Sequence, residues 1–164
     1  MRFEKVSIVQ WKKDLPVDVT EDIAEQWYEN IKLPERGTKY SAGYDFFAPY
    51  TFQMPPQSTI LIPTGITWVT EKTDKDKVLL CMPRSGMGFK YGIRLMNTVG
   101  VIDADYCESS NEGHIMMRLY NPSEDIVTIP SGKGFIQGII TKYCLIENDT
   151  VTTQRDGGMG STDR

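Results

Sequence analysis

The chain has 164 residues, a length that suits one domain with a full-sized core. Its 22 acidic and 18 basic residues give a net charge of −4, which argues against a general nucleic-acid binder because such proteins are basic. We therefore expect no direct contact with nucleic acid. A small anionic ligand, held by a few local cations and a metal ion, remains compatible with this charge.

The cysteine and histidine content excludes several kinds of site. Cys81, Cys107 and Cys144 are odd in number and widely spaced, so neither a disulfide framework nor a zinc site is indicated. Reduced thiols predict a cytoplasmic protein. The single histidine, His114, allows no histidine-rich metal site, and we expect its side chain to be exposed. The apolar runs are too short for a signal peptide or a membrane span, so we expect no membrane partner.

The first predicted elements are a strand and a helix. Residues 3–11, FEKVSIVQW, are rich in β-branched and aromatic residues and predict a strand. In residues 20–32 the apolar period changes, with Ile23, Trp27 and Ile31 at positions i, i+4 and i+8. This spacing predicts one amphipathic helix, an insertion in an otherwise β-rich chain.

The remainder of the chain has the pattern of an all-β protein. Short apolar or alternating runs such as STILIPTGITWV and FIQGIITKYCLI are separated by turns such as QMPPQ and NPSED. Many short strands joined in this way predict a sandwich, a barrel or a jelly roll. We expect one β-rich domain over residues 1–154, followed by a flexible arm over residues 155–164.

Two motifs in the first half of the chain have a possible role in chemistry. In SAGYDFFA, residues 41–48, Asp45 lies among apolar neighbours, and it is either buried with a partner or directed to solvent from a strand. In PRSGMGFKYG, residues 83–92, arginine, serine and glycine follow one another. This order fits a phosphate-binding loop built from backbone N–H groups and a guanidinium, or a plain turn.

Two further motifs contain polar groups at strand positions. In NTVGVIDADY, residues 97–106, strand alternation places Asp103 and Asp105 on one face and Tyr106 on the other. Two close carboxylates suit a general base, although the segment is also typical of the exposed end of a hairpin. In PSGKGFIQGII, Gln137 interrupts an apolar run and is either buried with a hydrogen-bond partner or presented to a ligand.

The last ten residues, RDGGMGSTDR, contain too little apolar surface to pack into a core. They fit a frayed terminus. They also fit a segment that becomes ordered over an anion, since glycine N–H groups, hydroxyls and the Arg155 guanidinium are all donors.

Taken together and in this order, the motifs resemble those of the trimeric dUTPase (deoxyuridine triphosphatase) family. The five family motifs correspond to AGYD, PRSG, GVIDADY, GKGFIQGI and RDGGMGST, and the resemblance extends from about Leu33 to Thr162. It implies a jelly-roll-like fold, assembly as a homotrimer and active sites between subunits. The arm of one subunit would close over a site built by the other two.

The resemblance also implies roles for individual residues. Asp103 would be the general base that activates a water for attack on the α-phosphorus of dUTP, giving dUMP and pyrophosphate. Mg²⁺ would be bound through the substrate triphosphate, with Asp45 contacting it through water. The phosphates would be bound by Arg84, Ser85, Gly86, Gln137, Arg155, Gly160, Ser161 and Thr162. The base and the sugar would be bound by Asn97, Val101, Ile102, Tyr106 and Met116.

The sequence departs from the family pattern at several positions. Met159 stands where the family has a phenylalanine that stacks on uracil, and Phe89 or His114 could supply an aromatic ring instead. Lys133 and Gly134 replace an acid and a base in the fourth motif. Two alternative functions are a dCTP deaminase-like enzyme and a nucleotide-gated regulatory protein of phage type that captures a protein partner. The helical insertion and the long turn after Tyr106 are the features that would serve such a partner.

Overall fold

A computed structural model describes residues 1–153 and 155 of the chain. In this part the chain forms short antiparallel strands, and the predicted all-β, jelly-roll-like fold is confirmed. The strands are β1 (Arg2–Lys5), β2 (Glu35–Arg36), β3 (Tyr44–Phe47), β4 (Phe52–Met54), β5 (Ser58–Pro63), β6 (Ile66–Val69), β7 (Lys77–Pro83), β8 (Arg94–Leu95), β9 (Gly100–Asp103), β10 (Met116–Asn121), β11 (Val127–Ile129) and β12 (Gly134–Lys142).

The strands form one five-stranded sheet and three smaller sheets in the described residues. The five-stranded sheet has the order β2-β3-β12-β7-β9, and a three-stranded sheet has the order β5-β10-β8. The pairs β1-β6 and β11-β4 complete the set. Strand β12 lies at the centre of the large sheet because it pairs with both β3 and β7, while β9 pairs with the other side of β7.

The helices are α1 (Ile8–Asp14), α2 (Glu21–Glu29) and α3 (Ser85–Tyr91). Helix α2 lies within the predicted range 20–32. The prediction of a strand over residues 3–11 holds only for β1, because Ser7 accepts a hydrogen bond from the Gln10 N–H at 3.1 Å and caps the start of α1. The N-terminal region therefore contains two helices rather than one. None of the described helices combines the length and the apolar character needed to cross a bilayer.

Both N-terminal helices pack against the β core. Trp11 of α1 is completely buried, and its Nε1 donates to the Ala24 carbonyl of α2 at 2.9 Å. The ring of Trp27 stacks on Tyr50 with centroids 4.2 Å apart. Through these contacts both helices become part of the domain core, although the sheets themselves are formed by strand pairing alone.

His114 is completely buried, so the expectation that it is exposed is wrong. The Gly65 N–H donates to its Nε2 at 2.8 Å, which requires a lone pair there, and Nδ1 lies 2.6 Å from Oδ2 of Asp14. The neutral ring with its proton on Nδ1 satisfies both contacts. Burial lowers the pKa of His114, and the neighbouring Asp14 and Glu112 oppose this effect without reversing it.

The lowered pKa of His114 predicts that acid destabilises the fold. The unfolded chain binds a proton at higher pH than the folded chain, so the free energy of unfolding should fall as the pH drops below about 6.5. The slope should reach at most about 1.4 kcal/mol per pH unit. Urea unfolding between about pH 5.5 and 7 measures this slope, because the carboxylates titrate mainly at lower pH. His114→Gln should lack it, and equal slopes in both proteins would contradict the assignment.

Candidate active site

A pocket between β9 and β10, here called the Asp103 pocket, has a volume of about 620 Å³. Seven of the residues assigned to the site from the sequence line it, namely Asn97, Val101, Ile102, Asp103, Tyr106, Met116 and Arg155. Leu61, Leu95, Met96, Gly100, Met117 and Arg118 complete the lining.

Carboxylates and one guanidinium form the polar end of the Asp103 pocket. Nη2 of Arg155 donates to Oδ2 of Asp103, and Nε of Arg155 donates to Oδ1 of Asp105 at 2.8 Å. The two carboxylates share one cation, but strand β9 ends at Asp103 and Asp105 lies in the turn that follows it. Strand alternation therefore does not apply here, and the expectation that Tyr106 lies on the opposite face from Asp103 is wrong, because both residues line this pocket. The side chain of Asp103 remains about half exposed, whereas that of Arg155 is 20% exposed. Asp103 is thus open to water and substrate on its free side.

A tight turn between β8 and β9, which belong to different sheets, presents the apolar side of the pocket. Thr98 adopts φ 66°, a left-handed conformation that costs a β-branched residue about 1–3 kcal/mol. The Thr98 N–H donates to the Leu95 carbonyl at 3.1 Å, and the Val99 N–H donates to the Asn97 carbonyl at 2.7 Å. These contacts hold the turn while the Asn97 side chain remains exposed at the pocket.

Tyr106 connects the pocket to the buried histidine. Its ring lines the pocket although the residue is only 5% exposed, and its hydroxyl donates to the His114 carbonyl at 3.0 Å. The Asn111 side chain donates to the same hydroxyl at 2.9 Å. Burial raises the pKa of Tyr106. The phenol is therefore a fixed, neutral wall of the pocket.

A second group of predicted residues lies around Arg84. Nε of Arg84 forms an ion pair with Oδ1 of Asp45 at 3.1 Å, so Asp45 is partly buried with a cationic partner. Gln137 lies opposite Asp45 in the β12-β3 ladder, and its amide is 3.5 Å from the Pro83 carbonyl, at the limit of a hydrogen bond. Ser85 and Gly86 are exposed at the start of α3, which takes the place of a plain turn.

The two groups of residues are not brought together within one chain. Asp103 pairs with Val78 near the start of β7, whereas Arg84 follows Pro83 at its end, and six residues of strand span about 20 Å. The Arg84 side chain reaches β3, which is separated from β9 by β12 and β7. The Asp103 pocket and the Arg84 group therefore face different parts of the surface.

The sequence analysis did not identify some residues that line the pocket, and some residues that it did name lie outside the described part of the chain. Arg118 lines the Asp103 pocket from the same strand as Met116, two residues further on. Strand alternation from Met116 would have found it. Phe89 is almost fully exposed, and the proposal that it replaces the missing aromatic stays a prediction. His114 cannot take that role, because it is buried. Gly160, Ser161, Thr162 and Met159 lie outside the described residues.

Comparison with known proteins agrees with this arrangement. A family model described as dUTPase matches residues 29–163. The deoxyuridine 5'-triphosphate nucleotidohydrolase of Lactococcus lactis subsp. lactis (strain IL1403) is 37% identical over 140 residues, which cover 82% of this chain and 91% of that protein.

Two solved structures share the fold. The dUTPase from Streptococcus mutans matches with a TM-score of 0.68 at 30% identity, over 90% of this chain and 100% of that chain. A mutant dUTPase from phage phi11 of S. aureus, studied for the coordination of a structural Mg(II) ion, matches with a TM-score of 0.61 at 22% identity, over 76% of this chain and 92% of that chain. The match of the family model to most of the chain and the identity to the Lactococcus protein show that this chain belongs to the dUTPase family.

Proposed function

We propose that this chain hydrolyses dUTP to dUMP and pyrophosphate. The observation that carries the proposal is the Asp103 pocket, in which a half-exposed carboxylate at the end of β9 shares the lining with Asn97 from the turn before that strand. The named relatives that match this chain are deoxyuridine 5'-triphosphate nucleotidohydrolases, and the third motif of the resemblance, GVIDADY, contains Asp103 and Tyr106 of this pocket.

Asp103 acts as the general base. Its carboxylate accepts a proton from a water molecule, which attacks the α-phosphorus, and pyrophosphate departs as the leaving group. This role requires the carboxylate to be within hydrogen-bonding reach of the water, about 3 Å, and the exposed side of Asp103 permits such a water.

The turn between β8 and β9 and the ring of Tyr106 provide the selectivity. Asn97 offers both an amide donor and a carbonyl acceptor to the edge of uracil, and backbone groups near Val101 and Ile102 complete the contacts. Met116 closes the pocket from β10. The fixed ring of Tyr106 packs against the deoxyribose, where it leaves no room for a 2′-hydroxyl. The resemblance implies that the pocket also excludes the 5-methyl group of thymine.

Binding of the substrate phosphates next to Asp103 requires a second copy of the chain. Arg84 is about 20 Å along β7 from the level of Asp103, too far to bind the phosphate group that Asp103 acts on. We infer that Arg84, Ser85, Gly86 and Gln137 of one subunit face Asp103 of another in a homotrimer. The arm over residues 155–164 would close the site, as the resemblance implies. In the single chain, Arg155 contacts carboxylates of its own chain.

The donor set near Arg84 fits a loosely held Mg²⁺. This ion binds oxygen ligands and keeps several waters, using one or two carboxylates together with substrate phosphates. Oδ1 of Asp45 already pairs with Arg84 and the side chain is 17% exposed, which suits contact through water rather than direct coordination. When bound, the ion would neutralise negative charge on the phosphate oxygens.

Replacing the base should stop the reaction without stopping binding. Asp103→Asn should lower kcat for dUTP by about 10²–10⁴, the usual contribution of a general base, while a non-hydrolysable dUTP analogue still binds. Steady-state kinetics and calorimetry measure the two effects. Asp18→Asn, at an exposed position outside both pockets, is the matched control and should behave as the unaltered protein. Near-normal turnover of Asp103→Asn would refute the role of Asp103.

Mixing two inactive variants tests whether the site is shared. Asp103→Asn and Arg84→Ala should each be inactive alone. Unfolded together and refolded as mixed trimers, they should regain about a quarter of the activity, because random assembly gives that share of sites an intact residue from each of two neighbouring subunits. Absence of any recovery, with mixed trimers verified by mass, would show that both residues act within one chain.

Substrate preference tests the shape of the pocket. The kcat/KM for dUTP should exceed those for dTTP and UTP by about 10³ or more, because an ill-fitting substrate leaves buried polar groups unpaired or in steric conflict. Product analysis with dCTP in the same series separates hydrolysis from deamination. Similar rates for all four nucleotides would indicate a nonspecific phosphatase instead.

A further inference from the structure

A smaller pocket beside Arg84 carries a concentration of positive charge. It has a volume of about 210 Å³ and is lined by Arg84, Gly86, Met87, Lys90, Tyr91, Lys133 and Gly134. Three of these residues are cations and none is an acid, in a chain with a net charge of −4. Asp45 balances Arg84, whereas Lys90 and Lys133 have no ion-pair partner in the described residues, and unbalanced cations of this kind attract anions. We call this pocket the Arg84 pocket.

Gly134 is needed because the Arg84 side chain lies directly over its backbone. A Cβ atom at this position would overlap Nη1 of Arg84 and lie 3.2 Å from its Cδ and 3.3 Å from its Cζ. Gly134 does not have a positive φ. A glycine is therefore required here for the space left by its missing side chain and not for its backbone conformation. Any side chain at position 134 would displace the guanidinium from its present place.

Arg84 is held there from three sides. Its N–H donates to the Phe135 carbonyl of β12 at 3.1 Å, its Nε pairs with Asp45 at 3.1 Å, and its side chain covers Gly134. Asp45 engages one edge of the guanidinium. The N–H groups that Asp45 does not bind are available for a phosphate, in the fixed fork geometry that suits its oxygens.

Lys133 and Lys90 supply unpaired charge next to this fork. Neither forms an ion pair with another residue within the part of the chain that the structure describes. The backbone of Lys133 is fixed on both sides, since its N–H donates to the Pro130 carbonyl at 3.1 Å and its carbonyl accepts from the Ala48 N–H at 2.9 Å. Nζ of Lys90 lies 4.8 Å from the ring centroid of Tyr91.

We propose that Lys133 and Gly134 form a diphosphate subsite together with Arg84. Gly134 is the positioning residue that lets the guanidinium lie across β12, and Lys133 is the second cation that binds the pyrophosphate part of the substrate. This assignment rests on the proposed function for the identity of the substrate. The pocket itself calls only for a compact polyanion, so inorganic pyrophosphate is a sufficient probe.

Binding of pyrophosphate to the whole assembled protein, measured by calorimetry without nucleotide, tests the contribution of Lys133. Lys133→Gln should weaken binding about tenfold, the effect of losing one charge-assisted hydrogen bond. Lys13→Gln removes the same charge from an exposed position on α1 and should leave the affinity unchanged within about twofold. Equal affinities of the two variants, or no binding by the unaltered protein, would overturn the proposal.

Gly134→Ala tests the positioning role. The displaced atoms belong to a flexible side chain, so the thermal midpoint should stay close to that of the unaltered protein while pyrophosphate binding weakens several-fold. Gly88→Ala is the matched control, since a Cβ there meets no atom within 4 Å.

A double variant separates positioning from a structural effect. In the Arg84→Ala background, Gly134→Ala should have no further effect on pyrophosphate binding, because there is no guanidinium left to displace. A further loss of the same size in that background would overturn the positioning role. If the unaltered protein binds pyrophosphate as described but leaves dUTP intact, the proposed function fails and the subsite stands.

Discussion

Strand β7 pairs with β9 on one side and with β12 on the other, and this double pairing determines where the charged groups of the site lie. The β9 ladder places Asp103 opposite Val78, near the start of β7. The pairing of β12 with β7 ends at Pro83, after which the chain continues through Arg84 into α3. Because strands are stiff and their rise is fixed, one chain cannot bring Asp103 and Arg84 to the same phosphate. A symmetric assembly is the simplest way to unite them.

Two arginines of the site, one on each side of this separation, already have carboxylate partners. Arg155 binds Asp103 and Asp105, and Arg84 binds Asp45. These pairs keep the guanidinium groups in fixed orientations, which lowers the entropy that a substrate must remove on binding. The lysines of the Arg84 pocket lack such partners in the described residues, so their charge is available to a ligand without breaking an existing pair. The arginines therefore offer a ligand hydrogen-bond donors in fixed orientations, and the lysines offer it unpaired positive charge.

Local sequence patterns predicted the elements whose neighbours are close in the chain. The strand runs and the helix at α2 follow from residue spacing, whereas the predicted alternation of Asp103, Asp105 and Tyr106 fails because β9 ends at Asp103. Helix α1 was not predicted because β-branched Ile8 and Val9 favour a strand. In the structure, the Ser7 cap and the burial of Trp11 stabilise a helix instead. The burial of His114 depends on Asp14, one hundred residues away. No local pattern contains that contact, and none shows that Arg84 lies across Gly134.

The N-terminal helices connect to the Asp103 pocket through a continuous set of hydrogen bonds. Asp14 at the end of α1 accepts from the His114 ring, and the His114 carbonyl accepts from the hydroxyl of Tyr106, the wall of the pocket. The Ser7 hydroxyl and N–H donate to Glu112, in the turn between Tyr106 and His114. Both ends of helix α1 are thus fastened to the C-terminal part of the long turn that follows β9. Since a 1 Å displacement of a pocket wall is enough to reduce turnover, the added helices are best understood as a support that keeps this turn, and with it Tyr106, in place.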